Sequence, residues 1–395
     1  MSSHYVLPKS PFIIHKYIDI ISNEEIPTPV VSNSLSYYLY EIKEKIDKRE
    51  HEWDNFKKIT NPYEYVDSAI SAKKKNISKH RPLSRSYYKM IEIIHTFELV
   101  NENKPIKSFH LAEGPGGFIE ALVNVRKNIA DTYIGMTLID DKNDHNIPGW
   151  KKTQFFLNQN KNVFIESGKD KTGNILSIAN LNDCRDRYGS SRDFITADGG
   201  FDFSIDFNKQ EISISQLLFA QMCYAVTMQA KNGSFVLKIF DCFMQHTIDV
   251  LTILSSFYEN VYIMKPNTSR YANSERYIIC KNFLFGSCEN FFPFINKAFT
   301  KMLSIDMSKL YIHRFLSIPT PICFINKVEE YNAILGQQQI ENIHHTIILI
   351  DNHQQQDKIN TLMSTNIQKS IQWCIKHEVP YNNIVLNHNV FINDK

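Results

Sequence analysis

This chain of 395 residues lacks the marks of export, of a membrane span and of a disulfide framework. Its seven cysteines (Cys184, Cys223, Cys242, Cys280, Cys288, Cys323 and Cys374) are scattered, and no two form a C-x-x-C pair. An odd, unpaired set predicts reduced thiols and argues against a zinc site, so no metal is expected. The start, Met-Ser-Ser-His-Tyr, has no basic stretch followed by an apolar core, so no signal peptide is predicted. No apolar run approaches the roughly 18 residues of a spanning helix. A soluble, intracellular protein is the expectation. Charge of one sign is also missing: a net +2 gives no bulk argument for a polyanionic partner, so any such surface must be locally concentrated. There is no G-x-x-x-x-G-K-[ST] motif, since Ser167-Gly-Lys-Asp170 does not fit it, and there are no internal repeats.

What is present is ordinary globular composition, 43% hydrophobic and 22% charged. The length suits one large domain with appendages, or two domains. Residues 1–80 are mixed: Pro8, Pro11, Pro27 and Pro29 punctuate extended pieces, and a charged helical stretch runs from Ser36 to Lys58. A basic segment follows, with Lys73, Lys74, Lys75, Lys79, His80, Arg81 and Arg85. It leads into a helix whose Tyr87, Met90, Ile91, Ile94 and Phe97 keep a 3.6-residue period.

Beyond residue 105 the pattern alternates. Strands are predicted at Ser108–Ala112, Tyr133–Leu138, Val163–Glu166, Phe194–Ala197, Ser234–Ile239, Val261–Met264 and Tyr277–Cys280. Helices are predicted at Phe118–Lys127, Ser213–Ala230 and Thr247–Tyr258. Such alternation implies an α/β sheet with helices on both faces. It stops near residue 300, and the remainder reads as a mostly helical extension around one apolar run, Thr346–Ile350.

Glu113-Gly-Pro-Gly-Gly-Phe118 closes a predicted strand and opens a helix. Glycines there allow a sharp turn and close backbone approach to a ligand, beside the free amides of a helix N-terminus. The turn is shorter than G-x-G-x-x-G, and Glu113 at its entrance is a poor neighbour for phosphate. An acid suits a cationic sulfonium or the amino group of an amino-acid tail. Asp140 ends the next strand, where ribose hydroxyls would be read. The same tetrapeptide could also be merely a tight connection.

Two further residues stand at predicted strand ends. Asp198 follows Phe194–Ala197, and Lys238 lies late in Ser-Phe-Val-Leu-Lys-Ile-Phe. In an open α/β sheet, ligands bind at the carboxyl ends of strands, so both would face one crevice with the glycine turn. A lysine inside an apolar strand is costly unless partnered. Desolvation and neighbouring cations would lower its pKa and fit it for general-base work. Asp198 before two glycines also suits a plain turn, and Lys238 could snorkel outward. Lys89 falls on the polar side of its helix and Glu275 precedes a strand; spacing alone singles out neither.

These residues carry a resemblance. Lys265-Pro-Asn-Thr-Ser-Arg-Tyr-Ala-Asn-Ser-Glu-Arg-Tyr-Ile-Ile-Cys-Lys281 looks like the K-P-x-x-S-R-x-x-N-S-E-R-Y-x-x-C-K segment of the FtsJ-like 2′-O-methyltransferases. The likeness is greatest to the eukaryotic and viral enzymes that methylate the ribose next to the mRNA cap. Ala197-Asp-Gly-Gly-Phe201, Lys238-Ile-Phe-Asp241, Gly114-Pro-Gly-Gly-Phe118 and Leu83-Ser-Arg-Ser-Tyr-Tyr-Lys-Met90 match in order, across about residues 80–290. The resemblance implies a Rossmann-like, mostly parallel sheet whose last strand is antiparallel, with helical N- and C-terminal extensions. The domain division would be 1–80, 81–298 and 299–395.

It also implies S-adenosylmethionine as cofactor, held by Glu113, Gly114, Pro115, Gly116, Gly117, Phe118, Asp140, Asn174 and Asp198. Asn174, in Gly173-Asn174-Ile175, stands where the family often has an aspartate that reads adenine, and an asparagine can still bond that edge. The family's tetrad falls on Lys89, Asp198, Lys238 and Glu275. Lys238 would be the general base, Asp198 would orient it, Lys89 would favour its neutral form, and Glu275 would position the ribose or Lys89. Arg270 and Asn273 are candidate RNA contacts, though loop stabilisation would explain them equally. Lys73, Lys74 and Lys75 would border the crevice, where a phosphate backbone should run. The implied partners are capped mRNA and other capping or transcription proteins, and no membrane. Two alternatives stay open: an rRNA or tRNA substrate, and a non-catalytic RNA-binding subunit on the same fold.

Overall fold

A computed structural model of the chain describes residues 4–70, 75–100, 103–139, 149–200 and 207–382. In chain order, β1 (His4–Val6) and β2 (Ile18–Asn23) precede α1 (Asn33–Asp47), α2 (Glu50–Thr60) and α3 (Ser86–Phe97). The alternating part runs β3 (Lys107–Leu111), α4 (Gly117–Arg126), β4 (Thr132–Met136), α5 (Gln154–Gln159), β5 (Val163–Glu166), α6 (Ile178–Tyr188) and β6 (Arg192–Ala197). It continues through α7 (Gln210–Ser213), α8 (Ser215–Met228), β7 (Gln229–Ile239), α9 (Gln245–Phe257), β8 (Tyr258–Met264) and β9 (Arg276–Phe283). Last come α10 (Phe292–Leu303), β10 (Tyr311–Leu316), α11 (Ile322–Asp351) and α12 (Gln356–Lys376). No described helix is long and apolar enough to cross a membrane.

Among the described residues, eight strands form one sheet in the order β1-β8-β9-β7-β6-β3-β4-β5. The five from β7 to β5 are parallel, while β9 runs antiparallel between β7 and β8. Strands buried on both faces need near-continuous apolar runs. The middle of β7, Phe235-Val-Leu237, is wholly buried, as are Phe109 and Leu111 of β3. Helix α8 is apolar all round and buried along almost its whole length, as a helix enclosed between sheet and outer layer must be. From β3 the chain steps outward through β4 to β5, then returns to lay β6 on the other side of β3. That reversal opens a crevice at the carboxyl ends of β3 and β6.

All seven strands read from the sequence are present, and the α/β architecture with its antiparallel last strand is as expected. The terminal segments hold more than helices. β1 adds an antiparallel edge to β8, and β2 pairs with β10 in a separate two-stranded ribbon. α11 packs on both α1 and α2. The N- and C-terminal segments therefore interlock around the sheet. The anticipated helix from Ser36 to Lys58 is two helices, broken at Lys48-Arg49.

Candidate active site

Sheet register alone gathers three side chains. Ala197 of β6 lies opposite Leu237 of β7, and Lys238 lies opposite Tyr277 of β9. Asp198, the first residue past β6, therefore stands beside Lys238 at the strand ends. Lys238 Nζ lies 3.2 Å from Asp198 Oδ1 and donates to the Asp198 carbonyl at 2.6 Å. The Tyr277 hydroxyl donates to the same Oδ1 at 3.0 Å. Because β9 is antiparallel, Glu275 just before it reaches the same edge. Its carboxylate takes Lys89 Nζ at 2.7 and 2.8 Å and the Ser269 hydroxyl at 2.8 Å.

Lys89 comes from α3, which packs closely on α4 because Gly117 has no side chain. A Cβ there would lie 2.2 Å from Ser86 Oγ and 2.3 Å from Ser84 Oγ. What looked like a solvated helix face is 13% exposed at Lys89. The four predicted tetrad residues thus meet as two ion pairs.

Burial works to raise the Glu275 carboxyl, but Lys89 and then Lys238 pull it down to about 2. Lys238 departs from the sequence argument. Burial works to lower its pKa, yet Asp198, Glu275 and Glu113 outweigh that and hold it above the ordinary lysine value. The cation expected to oppose its charge, Lys89, is itself bound by Glu275. Lys265, at the end of β8, behaves the other way. Burial drives its pKa to about 7, and its hydrogen-bond acceptors are neutral: Asn273 O at 2.5 Å, Asn273 Oδ1 at 2.9 Å and Glu275 O at 3.0 Å.

Beside Lys238 and Asp198 lies a cavity of about 540 Å³, within the usual range for cofactor sites. Its wall includes Gly114, Pro115, Thr137, Gly173, Asn174 and Gly199, with Ser84 and Ser86 from the start of α3. Gly173 has φ +64°, and a Cβ there would fall 1.9 Å from the Thr137 carbonyl oxygen, so no other residue fits. The Asn174 Oδ1 accepts the Leu176 N–H at 2.8 Å, which orients the amide at the wall.

Glu113, Gly116, Gly117 and Phe118 do not line this cavity; they shape the turn behind it. Gly116 caps α4 at φ +105°, and Phe118 is buried in the core against Tyr277. Glu113 Oε1 accepts the N–H groups of Phe118 at 2.5 Å and Ile119 at 3.3 Å, while its buried Oε2 has no partner among the described residues. Burial, with Asp198 close by, pushes this carboxyl well above the ordinary value.

Arg270 and Asn273, read as RNA contacts, already hold protein partners. Arg270 binds Glu64 at 2.8 and 3.1 Å, and Asn273 takes Lys265. Lys75 is exposed. Asp140, Lys73 and Lys74 lie outside the described residues.

Sequence reasoning missed Tyr277, Ser269, Lys265 and Glu92. Lys265 carried the signal that exposed Lys238, a lysine ending an apolar strand. Glu92 carried none. It is fully buried one turn after Lys89 and accepts Asn267 N–H at 2.9 Å, Thr268 N–H at 3.2 Å and Trp373 Nε1–H at 3.1 Å.

A family model described as FtsJ-like methyltransferase matches residues 82–283, half of the chain and all of the elements just described from α3 to β9. The chain belongs to the FtsJ-like methyltransferase family. It is 27% identical over 368 residues to a cap-specific mRNA (nucleoside-2′-O-)-methyltransferase 2 of Pongo abelii, covering 86% of this chain and 45% of that protein. Against the Drosophila melanogaster protein of the same name, identity is 30% over 238 residues, covering 54% and 32%. A cap-specific mRNA (nucleoside-2′-O-)-methyltransferase 1 of Mus musculus is 36% identical over 184 residues, covering 44% and 21%. The chain spans less than half the length of these relatives.

Proposed function

We propose that this FtsJ-like protein transfers a methyl group from S-adenosylmethionine to the ribose 2′-hydroxyl of a cap-adjacent nucleotide of mRNA. The observation that carries the reading is the pairing of Lys238 with Asp198 in the wall of the 540 Å³ cavity, with the Lys89–Glu275 pair close to Lys238. The names of the relatives support the cap as the acceptor's context.

The cavity suits the cofactor. Gly114, Pro115, Gly173, Asn174 and Asp198 would hold it, and the unpartnered Oε2 of Glu113 adds an acceptor just behind the wall. S-adenosylmethionine would supply a methyl group on a cationic sulfur, an electrophile that needs only a well-placed oxygen. This chain's residues do the rest. Asp198 holds Lys238 Nζ through two oxygens, aiming it across the strand edge. Neutral Lys238 takes the 2′-hydroxyl proton as the oxygen attacks. Glu275 fixes Lys89 beside it, so that a cation faces the developing oxyanion. Tyr277 locks Asp198 and Ser269 locks Glu275, which keeps this geometry before substrate arrives.

The test is methyl transfer from labelled donor to short capped, uncapped and 2′-O-methylated RNAs. Capped RNA should be the best acceptor and 2′-O-methylated RNA should accept nothing at the blocked site. Equal transfer to uncapped RNA would overturn the cap assignment in favour of an rRNA or tRNA acceptor. No transfer to any RNA would leave the non-catalytic reading.

A further inference from the structure

A second, smaller cavity of about 140 Å³ has none of the tetrad in its lining. One wall is Asn273 and Ser274, the two residues before Glu275. α2 contributes Trp53 and Lys57, one turn apart on one face, and α11 contributes Gln339. Among the described residues its lining carries three cations, Lys43, Lys57 and Arg270, and no carboxylate.

The cations differ in what they can offer. Lys43 is buried, bound to Asp241 at 3.1 Å and to Ser274 Oγ at 3.0 Å, and serves the wall itself. Among the described residues Lys57, 23% exposed, pairs with Asp54 on its own helix, which is 74% exposed. Exposed pairs of this kind are weak and exchange readily for a better anion. Arg270 shares the single carboxylate of Glu64 with Arg85, each guanidinium 2.8 Å from it. Asp67 acts on both guanidiniums and Asp54 on Arg270, so Arg270 sits among several carboxylates, none of which lines the pocket. A pocket of this size, with cationic side chains and an indole in its lining, suits a phosphate and the sugar edge attached to it. Asn273 is separated from Glu275 by at most about 7 Å of chain, comparable with the reach from a ribose to its own phosphodiester.

We propose that this cavity is a phosphate subsite for the acceptor strand, taking a phosphodiester adjacent to the methylated ribose, with Lys57 and Arg270 as its charge contacts. The inference rests on the methyl-transfer reading for the identity of the strand. It gives the N-terminal α2 and the C-terminal α11 a shared task, since neither alone encloses the space. Their junction would set how far along the strand the target ribose falls.

The test is RNA binding and methyl transfer by the full chain carrying Lys57→Ala, with Lys57→Arg as the conservative control. Single-strand phosphate contacts each contribute about 0.7 to the slope of log affinity against log salt. Lys57→Ala should lower that slope by about 0.7 and weaken RNA binding about fivefold at low salt, while S-adenosylmethionine affinity stays unchanged. Lys57→Arg should restore both. Methylphosphonate placed at one position at a time next to the target ribose should weaken wild-type binding at a single position, and that position should cease to matter in Lys57→Ala. An unchanged salt slope, or equal methylphosphonate sensitivity in both proteins, would overturn the subsite. Neither binding readout requires turnover, so an inactive wild type would refute the methyl-transfer reading while leaving the subsite to be judged on binding.

Discussion

Replacing Glu275 with glutamine keeps the shape of the side chain and removes the charge that holds Lys89. The structure gives two routes to the cost. The carboxyl lies at about 2 against an ordinary 4.5, a difference equivalent to about 3 kcal/mol. Independently, deleting one partner of a buried ion pair leaves the other uncompensated, at about 3–5 kcal/mol. Both side chains are nearly enclosed, at 13% and 10% exposure, so solvent relieves little. Glutamine keeps an oxygen for Ser269, which places the expected loss at about 2–3 kcal/mol.

The pH dependence fixes the cause. A carboxyl whose folded pKa is depressed stabilises fully above its unfolded value, and the effect is lost as pH falls towards the folded one. The gap between wild type and E275Q, read from denaturant titrations, should be constant from pH 8 to 6. It should narrow below about 4.5, to less than half near pH 3. The double variant with Lys89→Met should be more stable than E275Q alone, because no buried ammonium is left unpaired. Wild-type stability for E275Q at pH 7, or a gap that ignores pH, would refute the reasoning.

Three further outcomes follow from the same geometry. Lys238→Ala should cut single-turnover methyl transfer by about 10³-fold with donor affinity within a few-fold by calorimetry; retained activity would remove the proposed base. Because its neighbours hold Lys238 above the ordinary lysine value, it is an ammonium at neutral pH, and single-turnover rate should climb about tenfold per pH unit between 7 and 9. A flat profile there would show that some other group takes the proton. Gly173→Ala puts a methyl group 1.9 Å from the Thr137 carbonyl at φ +64°, so donor affinity should fall at least about tenfold; unchanged binding would mean the loop does not border the donor.

How much of this was legible depended on how local each cause was. Asp198 and Lys238 could be read because each ends an apolar strand, and strand ends in an open α/β sheet converge on one crevice. Lys89 and Glu275 could not be read from spacing. One sits on a helix face that looks solvated until Gly117 lets α4 approach, and the other's partner lies 186 positions away. Family likeness supplied both. Glu113 was read as a neighbour of the donor; what the sequence did not announce is that one of its oxygens takes the first amides of α4, since a helix start with free amides is the nearest claim on a buried carboxylate. The terminal strands escaped notice for another reason. β1 has three residues, and β2 finds its partner only at β10, a pairing no local pattern announces.

That last pairing has a consequence for the order in which the molecule is made. β2 and β10 are about 290 residues apart, so at about 5–20 residues per second the N-terminal ribbon waits about 15–60 s on the ribosome for its mate. The loop leading to Glu275 waits longer, because Gln339 holds its Ala272 carbonyl and Trp373 reaches it through Glu92. Translation thus delivers the sheet first and the frame around Glu275 last, and a nascent chain stalled before α11 would carry Lys89, Asp198, Lys238 and Glu275 without the contacts that hold the loop before Glu275.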